Sequence, residues 1–441
     1  MNKYLVFVLL MTFVAKGLNA QNQYNCTTSV TMEKNGGTIS NFSLVLPTPH
    51  SCIYQNIEDY TNNTGEVKTV ENSDNQYLLI HDNFSGDSQT LSETYNATLY
   101  PMFIDMSQFS TLYPYDKNSE IFKRFTIDKT PFIDTKNQKI QDVSNQLWEE
   151  AKENIIDYAH LCYEYVAKNF EYKDANTGIH TIEEIMNSKG GDCGNFSSVF
   201  VCLMRAKEIP AKHIVTVRPD GTFHVWADFY LENYGWIPVD VTMKHDYPSG
   251  NYFGYCAGDG IIMSNDLCHD VYYTSTDIYN ATLLQTYLWW YWGDKEPKCS
   301  YSTKGEKKSS PEKPNTKDID GGVEIYWNAF KGATGYKISI YDNTNNLVEE
   351  QTLDKESISF IPQNLSSNTD YVFEFLPLRQ VDNIETTMGS YESSFKTSEI
   401  TGILEIKKES TNHSIYNLKG QRLSEYQKGI NIINGKKIIV K

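Results

Sequence analysis

The chain has few basic residues for its size. It contains 39 Lys and Arg against 56 Asp and Glu among 441 residues, which gives a net charge of −17 at pH 7. Proteins that bind nucleic acid need a basic surface to neutralise phosphates, and no basic stripe runs through this sequence. We therefore expect no nucleic acid among its partners.

Metal-binding and membrane-spanning patterns are also absent from the sequence. It contains no H-E-x-x-H or C-x-x-C spacing and no D-x-[DN]-x-[DN]-G calcium loop. After residue 20, no apolar run is long enough to cross a bilayer. The sequence thus predicts no cofactor, no metal and no transmembrane segment.

Residues 1–20 are typical of a secretory signal peptide. A short start bearing Lys3 precedes an apolar run, which ends in the small residue Ala20. We expect cleavage after Ala20 and a location outside the cell or on its surface.

Eight cysteines in an exported chain allow disulfides. Proximity along the sequence predicts two local pairs, Cys26 with Cys52 and Cys256 with Cys268. Cys193 is predicted to remain a free thiol.

The string G-G-D-C-G-N-F-S places Cys193 at the start of a helix. Apolar residues recur at i, i+3, i+4 and i+7 after it, and Asp192 is a good N-cap residue. In the first turn of a helix, unpaired N–H groups and the helix dipole favour a thiolate. Cys193 is therefore a candidate nucleophile.

A base and an acid follow on two predicted strands. His224 lies in T-F-H-V-W-A-D-F-Y, which alternates like a strand, and Asp240 ends the next, G-W-I-P-V-D-V-T. Neighbouring antiparallel strands would bring the two together. The predicted roles are Cys193 as nucleophile, His224 as general base and Asp240 as the acid that orients it.

Each of these three residues, taken alone, is more often structural. A cysteine at a helix start is usually a small core residue, a strand histidine is usually hydrogen-bonded in the core, and an aspartate before a threonine usually caps a turn. The competing histidines, His213 and His245, are expected to be structural or surface residues, and Asp228 is the competing acid.

The three motifs together resemble those of the transglutaminase-like superfamily. The matching strings are R-A-K-E-I-P-A at 205–211, H-V-W at 224–226 and G-W-I-P-V-D-V-T at 235–242. The resemblance covers about 141–242 and implies a papain-like α+β core, a covalent thioester and acyl transfer to water or an amine. It does not identify the second oxyanion donor, for which Tyr172 is a candidate.

Strand and helix patterns predict the arrangement of the rest. The expected fold class is α+β, with a papain-like transglutaminase core preceded by a β-rich domain and followed by a β-sandwich and a small terminal β unit. A single long helix is expected over about 141–170. The predicted boundaries are 1–20 for the signal peptide, 21–130 for the β-rich domain, 131–292 for the catalytic domain, 293–318 for a charged linker, 319–398 for the sandwich and 399–441 for the terminal unit.

Two further resemblances concern the C-terminal part. Residues 319–398 resemble a fibronectin type III domain, with Trp327 as its buried strand aromatic and Tyr371 as its tyrosine corner. Residues 399–441 resemble the C-terminal sorting domain of type IX secretion in Bacteroidetes, which implies that secretion machinery as a partner. The N-G pair in this segment predicts a type I′ hairpin.

The function predicted from these features is an exported cysteine enzyme that cleaves amide bonds of a protein or peptide substrate by acyl transfer. A cross-linking transglutaminase is the first alternative, and preference for amine over water as acyl acceptor would distinguish it. The second is a non-catalytic surface binding protein, for which a buried, unreactive Cys193 would be the evidence.

Overall fold

The structure is a computed structural model, and it describes residues 21–173, 178–319, 322–398, 415–433 and 436–440. The predicted signal peptide and the N-G turn at 434–435 lie outside the described residues.

Seven strands come first in the part of the chain that the structure describes. In order they are β1 (Asn22–Glu33), β2 (Ile39–Thr48), β3 (Gln55–Asn62), β4 (Glu66–Thr69), β5 (Gln76–Asn83), β6 (Ser88–Leu99) and β7 (Met102–Ile104). On β1, the residues Cys26, Val30 and Met32 are fully buried while their neighbours face outward. This period of two is that of a strand packed on one face.

Six α-helices follow among the described residues. They are α1 (Glu120–Phe125), α2 (Gln138–Glu150), α3 (Ile155–Asn169), α4 (Ile182–Ser188), α5 (Cys193–Arg205) and α6 (Val241–Asp246). A short 3-10 helix, Met106–Gln108, precedes them.

The predicted single helix over 141–170 is wrong. The chain breaks between α2 and α3, where Lys152 and Glu153 adopt φ values of 52° and 62°. These values lie in the left-handed region, which a continuing right-handed helix does not allow. Asn154 then starts α3 as its N-cap, accepting from the backbone N–H groups of Ile156 and Asp157.

The next ten strands lie between and after these helices along the chain, and together with the helices they form the middle part of the structure. They are β8 (Glu171–Tyr172), β9 (Gly190–Gly191), β10 (Ala211–Val217), β11 (Phe223–Leu231), β12 (Gly235–Val239), β13 (Tyr255–Cys256), β14 (Ile261–Asn265), β15 (His269–Tyr272), β16 (Ile278–Ala281) and β17 (Leu288–Gly293). An antiparallel sheet in the order β12-β11-β10-β14 is the central sheet. Helix α5 is buried between this sheet and α2, α3, α4 and α6, inside the largest apolar cluster.

The C-terminal part adds β18 (Lys298–Ser309), β19 (Asn315–Ile319), β20 (Gly322–Tyr326), β21 (Gly335–Asp342), β22 (Leu347–Asp354), β23 (Ser359–Phe360), β24 (Asp370–Val381), β25 (Ile384–Thr387), β26 (Tyr391–Lys396), β27 (Ile415–Asn417), β28 (Arg422–Leu423), β29 (Gly429–Ile433) and β30 (Lys436–Val440). The last four make a small antiparallel sheet in the order β28-β27-β29-β30.

The predicted linker at 293–318 is not a free tether. Residues 298–309 form β18, which pairs antiparallel with β1 from Glu33↔Lys298 to Gln23↔Ser309. Strand β17 likewise pairs with β2. The sheets β18-β1-β6-β3 and β17-β2-β5-β4 enclose a shared apolar core, and we call them the N-terminal sandwich. The four lysines and one glutamate of β18 are all exposed, and this charged composition resembles that of a linker.

A second sandwich follows the first. Its sheets are β19-β20-β23 and a longer one in the order β13-β7-β25-β24-β21-β22, with β26 paired to β24. Trp327 is buried in its core, and the Tyr371 hydroxyl accepts the backbone N–H of Ser366 at 2.9 Å. Strand β7 lies between β13 and β25, so this sheet continues from the middle of the molecule into the second sandwich.

The predicted disulfides are wrong, because all eight cysteines are free thiols. Cys26 packs beside Tyr95 on the N-terminal sandwich, whereas Cys52 packs against the core around α5. Cys256 lies on β13 beside Met102, and Cys268 follows β14. Proximity along the chain therefore did not predict proximity in space.

In the part of the chain that the structure describes, no helix has both the length and the apolar character needed to span a membrane.

Candidate active site

Cys193 is the first residue of α5. The Asp192 carboxylate caps the helix by accepting the backbone N–H of Asn195 at 3.1 Å. Gly191 precedes it on β9, and a Cβ atom at Gly191 would lie 2.5 Å from the Cβ of Asn195. Only glycine fits there, so the glycine pair and the cap together fix the entry of the helix and hence the position of the sulfur.

The structure brings Cys193, His224 and Asp240 together. The Nε2 atom of His224 lies 2.7 Å from Oδ2 of Asp240, and both side chains are buried. The Cys193 side chain lies close enough to the same imidazole to raise its pKa. Because Nε2 is bonded to the carboxylate, Nδ1 is left for the sulfur. The geometry is that of a thiol, a base and an orienting acid.

Asp240 is held by a second bond. Its Oδ1 atom accepts the backbone N–H of Met243 at 2.9 Å, so it is also the N-cap of α6. The sequence left two alternatives for Asp240, a capping residue or an acid that orients His224. The carboxylate makes both contacts, each through a different oxygen. The helix thereby anchors the acid that faces His224.

The charges around His224 favour its protonated form. Burial by itself would lower the pKa of His224, but the Asp240 carboxylate and the Cys193 side chain together raise that pKa to about 10. An imidazolium at this position complements a thiolate on the neighbouring sulfur. The site therefore holds a charged imidazole beside the candidate nucleophile at neutral pH.

Tyr172 and His245 flank the first turn of α5. The ring of Phe196 lies 5.9 Å from that of Tyr172 and 5.4 Å from that of His245. The backbone N–H groups of this turn are natural donors to an oxyanion. A donor role for Tyr172 stays a prediction. His245 is half-buried, and its Nδ1 atom lies 3.0 Å from Oδ1 of Asp246.

The other competing groups are engaged elsewhere. His213 is fully buried on β10, and its Nε2 atom lies 3.0 Å from Oγ of Ser198. Asp228 is fully buried on β11 and accepts the Tyr54 hydroxyl at 2.8 Å. Burial raises the pKa of Asp228 to about 6, partly offset by Lys212 and Tyr54. Neither His213 nor Asp228 is hydrogen-bonded to His224 or Asp240.

Sequence reasoning missed the wall beside the nucleophile. The Asn195 side chain donates to the carbonyl of Gly178 and accepts the backbone N–H of His180 at 2.9 Å. These bonds hold residues 178–180 over the start of α5, where Ile179 Cδ1 would lie 2.7 Å from a Cβ atom at Gly194. A buried asparagine inside a helix, a poor helix former, was the signal available in the sequence.

Gln285 was missed as well. Its Nε2 atom donates to the carbonyl oxygens of Thr216 at 2.9 Å and His224 at 3.4 Å. It therefore joins the segment before β17 to the strand that carries the candidate base.

Within the described ranges, no group of three or more His, Cys, Asp or Glu side chains is arranged to hold a metal ion.

Comparison with known families supports the assignment of this region. The family model of the transglutaminase-like superfamily matches residues 141–241, which include α5 and all three candidate residues. Residues 141–241 are a transglutaminase-like domain. A curated relative, an uncharacterised protein of Haemophilus influenzae, is 30% identical over 116 residues, or 20% of this chain and 31% of the relative. The matched part thus spans about a third of that relative's length.

Solved structures are similar to parts of this chain at low sequence identity. A protein of Cytophaga hutchinsonii, provisionally described as a cysteine protease, is 12% identical with a TM-score of 0.45, over 66% of this chain and 92% of the other. Red sea bream transglutaminase is 10% identical with a TM-score of 0.25, over 85% and 78% of the two chains.

Proposed function

We propose that this protein is an exported cysteine enzyme that cleaves amide bonds in protein or peptide substrates. The observation that supports it best is the joined geometry of Cys193, His224 and Asp240 at the start of α5. The match of residues 141–241 to the transglutaminase-like superfamily supports a cysteine-dependent enzyme.

The reaction would begin with attack of the Cys193 thiolate on the carbonyl carbon of the substrate amide. A C–S bond forms, and the carbonyl oxygen becomes an oxyanion within reach of the first-turn N–H groups of α5. As the C–N bond breaks, the His224 imidazolium gives its proton to the departing amine. The product of this half-reaction is a thioester on Cys193 and a free amine.

Water would complete the cycle. Neutral His224 takes a proton from a water molecule as its oxygen attacks the thioester carbonyl, and the C–S bond breaks to release the acid. Asp240 holds the imidazole through Nε2 in both halves, so that Nδ1 exchanges the proton. An amine in place of water would give acyl transfer. Cys193 is partly open to solvent, which favours water as the acceptor.

The rate of Cys193 alkylation by iodoacetamide, measured against pH, tests this proposal. We expect fast labelling well below the free-thiol pKa of about 8.5, and loss of that fast phase in His224→Ala. Peptide mapping after digestion separates Cys193 from the partly exposed thiols of Cys52, Cys268 and Cys299. The Cys193→Ser variant gives the background.

Slow labelling that follows an ordinary thiol curve in both proteins would reject the enzyme and favour a non-catalytic binding protein. If labelling is fast, release of acid or of amide from an acylated Cys193 in the presence of a primary amine distinguishes hydrolysis from cross-linking.

We further propose that the first 20 residues direct export and that the terminal unit at 399–441 engages type IX secretion machinery, placing the protein outside the cell or on its surface. The buried Trp327 and the Tyr371–Ser366 bond support a fibronectin type III-like sandwich at 319–398. To test the sorting role, residues 399–441 are fused to a reporter protein, and the location of the reporter is measured in a bacterium that has type IX secretion.

A further inference from the structure

Residues 178–180 cross the first turn of α5, and we call them the wall. The backbone N–H of Gly178 donates to Oδ2 of Asp192 at 3.1 Å, and its carbonyl oxygen accepts from Nδ2 of Asn195 at 3.0 Å. The backbone N–H of His180 donates to Oδ1 of Asn195 at 2.9 Å. Asp192 directly precedes Cys193 and Asn195 follows it by two positions, so the wall is bonded to the chain on both sides of the candidate nucleophile.

Asn195 is at the centre of these bonds. Its side chain is fully buried, and Nδ2 also donates to Oδ1 of Asp192 at 2.8 Å. Both polar atoms of the amide therefore have partners, and a buried amide that loses its partners is costly. The bonds hold the wall at a fixed distance from the helix.

The wall is also fixed where it ends. Thr181 follows it as the N-cap of α4, and the Thr181 hydroxyl and the Glu184 carboxylate form a capping box. The backbone N–H of Ile182 then donates to the carbonyl oxygen of Pro131 at 3.0 Å, and the Ile182 side chain is fully buried. A segment anchored in this way does not readily move aside for a substrate, so its side chains can limit what the site admits.

Ile179 is the apolar side chain of the wall. Its Cδ1 atom would lie 2.7 Å from a Cβ atom at Gly194, and Cγ2 of Val225 would lie 4.0 Å from the same position. Gly194 is the residue after Cys193, and Val225 is the residue after His224. Even a methyl group at Gly194 would displace the Ile179 side chain, so little free volume remains next to the nucleophile.

We propose that Ile179 is a specificity-determining residue, which limits the substrate residue bound against the first turn of α5 to a small side chain such as that of glycine, alanine or serine. Asn195 is the positioning residue that holds it there. Ile179 has no polar side-chain atom and a stiff, branched side chain, so it selects by size and not by charge or hydrogen bonding. The inference rests on the proposed function and names a feature of its substrate.

Alkylation of Cys193 by short peptidyl chloromethyl ketones tests this size limit, because the peptide must bind beside the thiol before the sulfur displaces chloride. Two reagent series carry Gly, Ala, Leu or Phe, either at the residue bearing the ketone or at the one before it. Each rate is divided by the rate of the same reagent with N-acetylcysteine and by the iodoacetamide rate of the same protein. In one series we expect Gly and Ala to react about tenfold faster than Leu and Phe, the scale on which an apolar pocket distinguishes side chains by size.

Graded shortening of Ile179 locates the limit. Ile179→Val removes the Cδ1 atom that lies against Gly194, and Ile179→Ala also removes the γ carbons. The preference for small side chains should fall stepwise, to about twofold or less in Ile179→Ala, through faster reaction of Leu and Phe. Ile127→Ala is the matched control, because Ile127 is 49% exposed and its carbonyl oxygen accepts from Arg205, at the opposite end of α5. It should keep the full preference.

Asn195→Leu tests the positioning role. Leucine has a similar volume but makes none of the bonds that hold the wall, so the preference for small side chains should fall as it does in Ile179→Ala. Combining the two substitutions should cause no further loss, because both act through the same contact. A full preference in Asn195→Leu, or a further loss in the double variant, would overturn the role of Asn195. The Ile179 variants keep the bonds of Asn195, so the test of the size limit does not depend on the folding of Asn195→Leu.

Fast iodoacetamide labelling of the wild type with equal or faster reaction of Leu and Phe in both series would overturn the size limit and leave the proposed function intact. A preference for small side chains that survives in Ile179→Ala would do the same. Slow iodoacetamide labelling that follows an ordinary thiol curve would remove the proposed function and the size limit together.

Discussion

The central sheet holds two buried histidines on neighbouring strands, and their charges differ. On β11, the pKa of His224 is raised to about 10. On β10, burial lowers the pKa of His213 to about 3. Burial acts in the same direction on both, so the partners of each ring decide the outcome.

The partners differ in one respect. His224 bonds directly to the Asp240 carboxylate at 2.7 Å. His213 bonds to the hydroxyl of Ser198, and the nearby Asp266 is engaged by Arg205 at 2.7 Å. A carboxylate already paired with a guanidinium has little charge left to stabilise an imidazolium. A candidate catalytic histidine is therefore identified by a neighbouring carboxylate that pairs with no other cation. Burial of the ring, or the mere proximity of an acid, does not identify it.

Removing the charge of Asp240 should have the largest effect. Asp240→Asn keeps an oxygen that can cap α6 but loses the anion that holds His224 protonated and oriented. At pH 6, we expect Cys193 alkylation to slow by about 100-fold, toward the small ionised fraction of an ordinary thiol. Asp228→Asn changes another buried acid of this sheet and should keep the wild-type rate. Wild-type labelling in Asp240→Asn would contradict the proposed role of this acid.

Breaking the ion pair near His213 should destabilise the fold without altering the chemistry. Arg205→Met leaves Asp266 buried without its cation, which costs about 3–5 kcal/mol in the free energy of unfolding. The partly exposed pair of Arg218 and Asp259, 2.9 Å apart, is the control, and Arg218→Met should cost about 1 kcal/mol or less. Urea unfolding measures both. A large loss of Cys193 reactivity per folded molecule in Arg205→Met would show that the two regions are not independent.

The two histidines should give stability opposite dependences on pH. The folded pKa of His213 lies below the unfolded value of about 6.5, so its contribution is complete above pH 6.5 and is lost as pH falls toward 3. The folded pKa of His224 lies above the unfolded value, so its contribution is complete below pH 6.5 and is lost as pH rises toward 10. For either histidine, a tenfold difference in proton affinity between the folded and unfolded chain contributes about 1.4 kcal/mol at most.

Urea unfolding of wild type, His213→Gln and His224→Gln from pH 4 to pH 9 measures these dependences. We compare how the free energy of unfolding changes with pH, because a cost of substitution that is the same at every pH does not affect that change. For each histidine, the free energy of unfolding of the variant is subtracted from that of the wild type at each pH. If these two differences changed with pH in the same direction, the contrast between the two histidines would be wrong.

Ser198→Ala should give the smallest effect. It removes the hydroxyl beside His213 Nε2 and leaves a buried polar atom unpaired, which costs about 1–2 kcal/mol in the free energy of unfolding. Cys193 lies more than one helical turn before Ser198 on α5 and should alkylate at the wild-type rate. A change in that rate would show that the region of His213 influences the nucleophile.

Much of the local structure around the site was predictable from the sequence. The i, i+3, i+4 pattern and the Gly-Gly-Asp entry indicated that α5 begins at Cys193, and strict alternation indicated the strand of His224. These signals are local, because caps and periodicity depend on residues a few positions apart.

The longer-range features were not predictable in this way. Nothing in the composition of 298–309 indicates pairing with a strand near the start of the chain, and its lysines resemble those of a linker. The break at Lys152 and Glu153 uses residues that favour helices, so tertiary packing overrides propensity there. The bonds from Gln285 to the carbonyl oxygens of Thr216 and His224 join positions more than 60 residues apart in the chain, which local sequence patterns do not specify.

The pairing of β1 with β18 sets an order on synthesis. The first strand of the N-terminal sandwich is covered on one side by a strand that ends at Ser309, and the whole transglutaminase-like domain lies between the two in the chain. The sandwich cannot be completed until residue 309 has left the ribosome. The transglutaminase-like domain is therefore fully synthesised before β18 is available to pair with β1 and complete the sandwich.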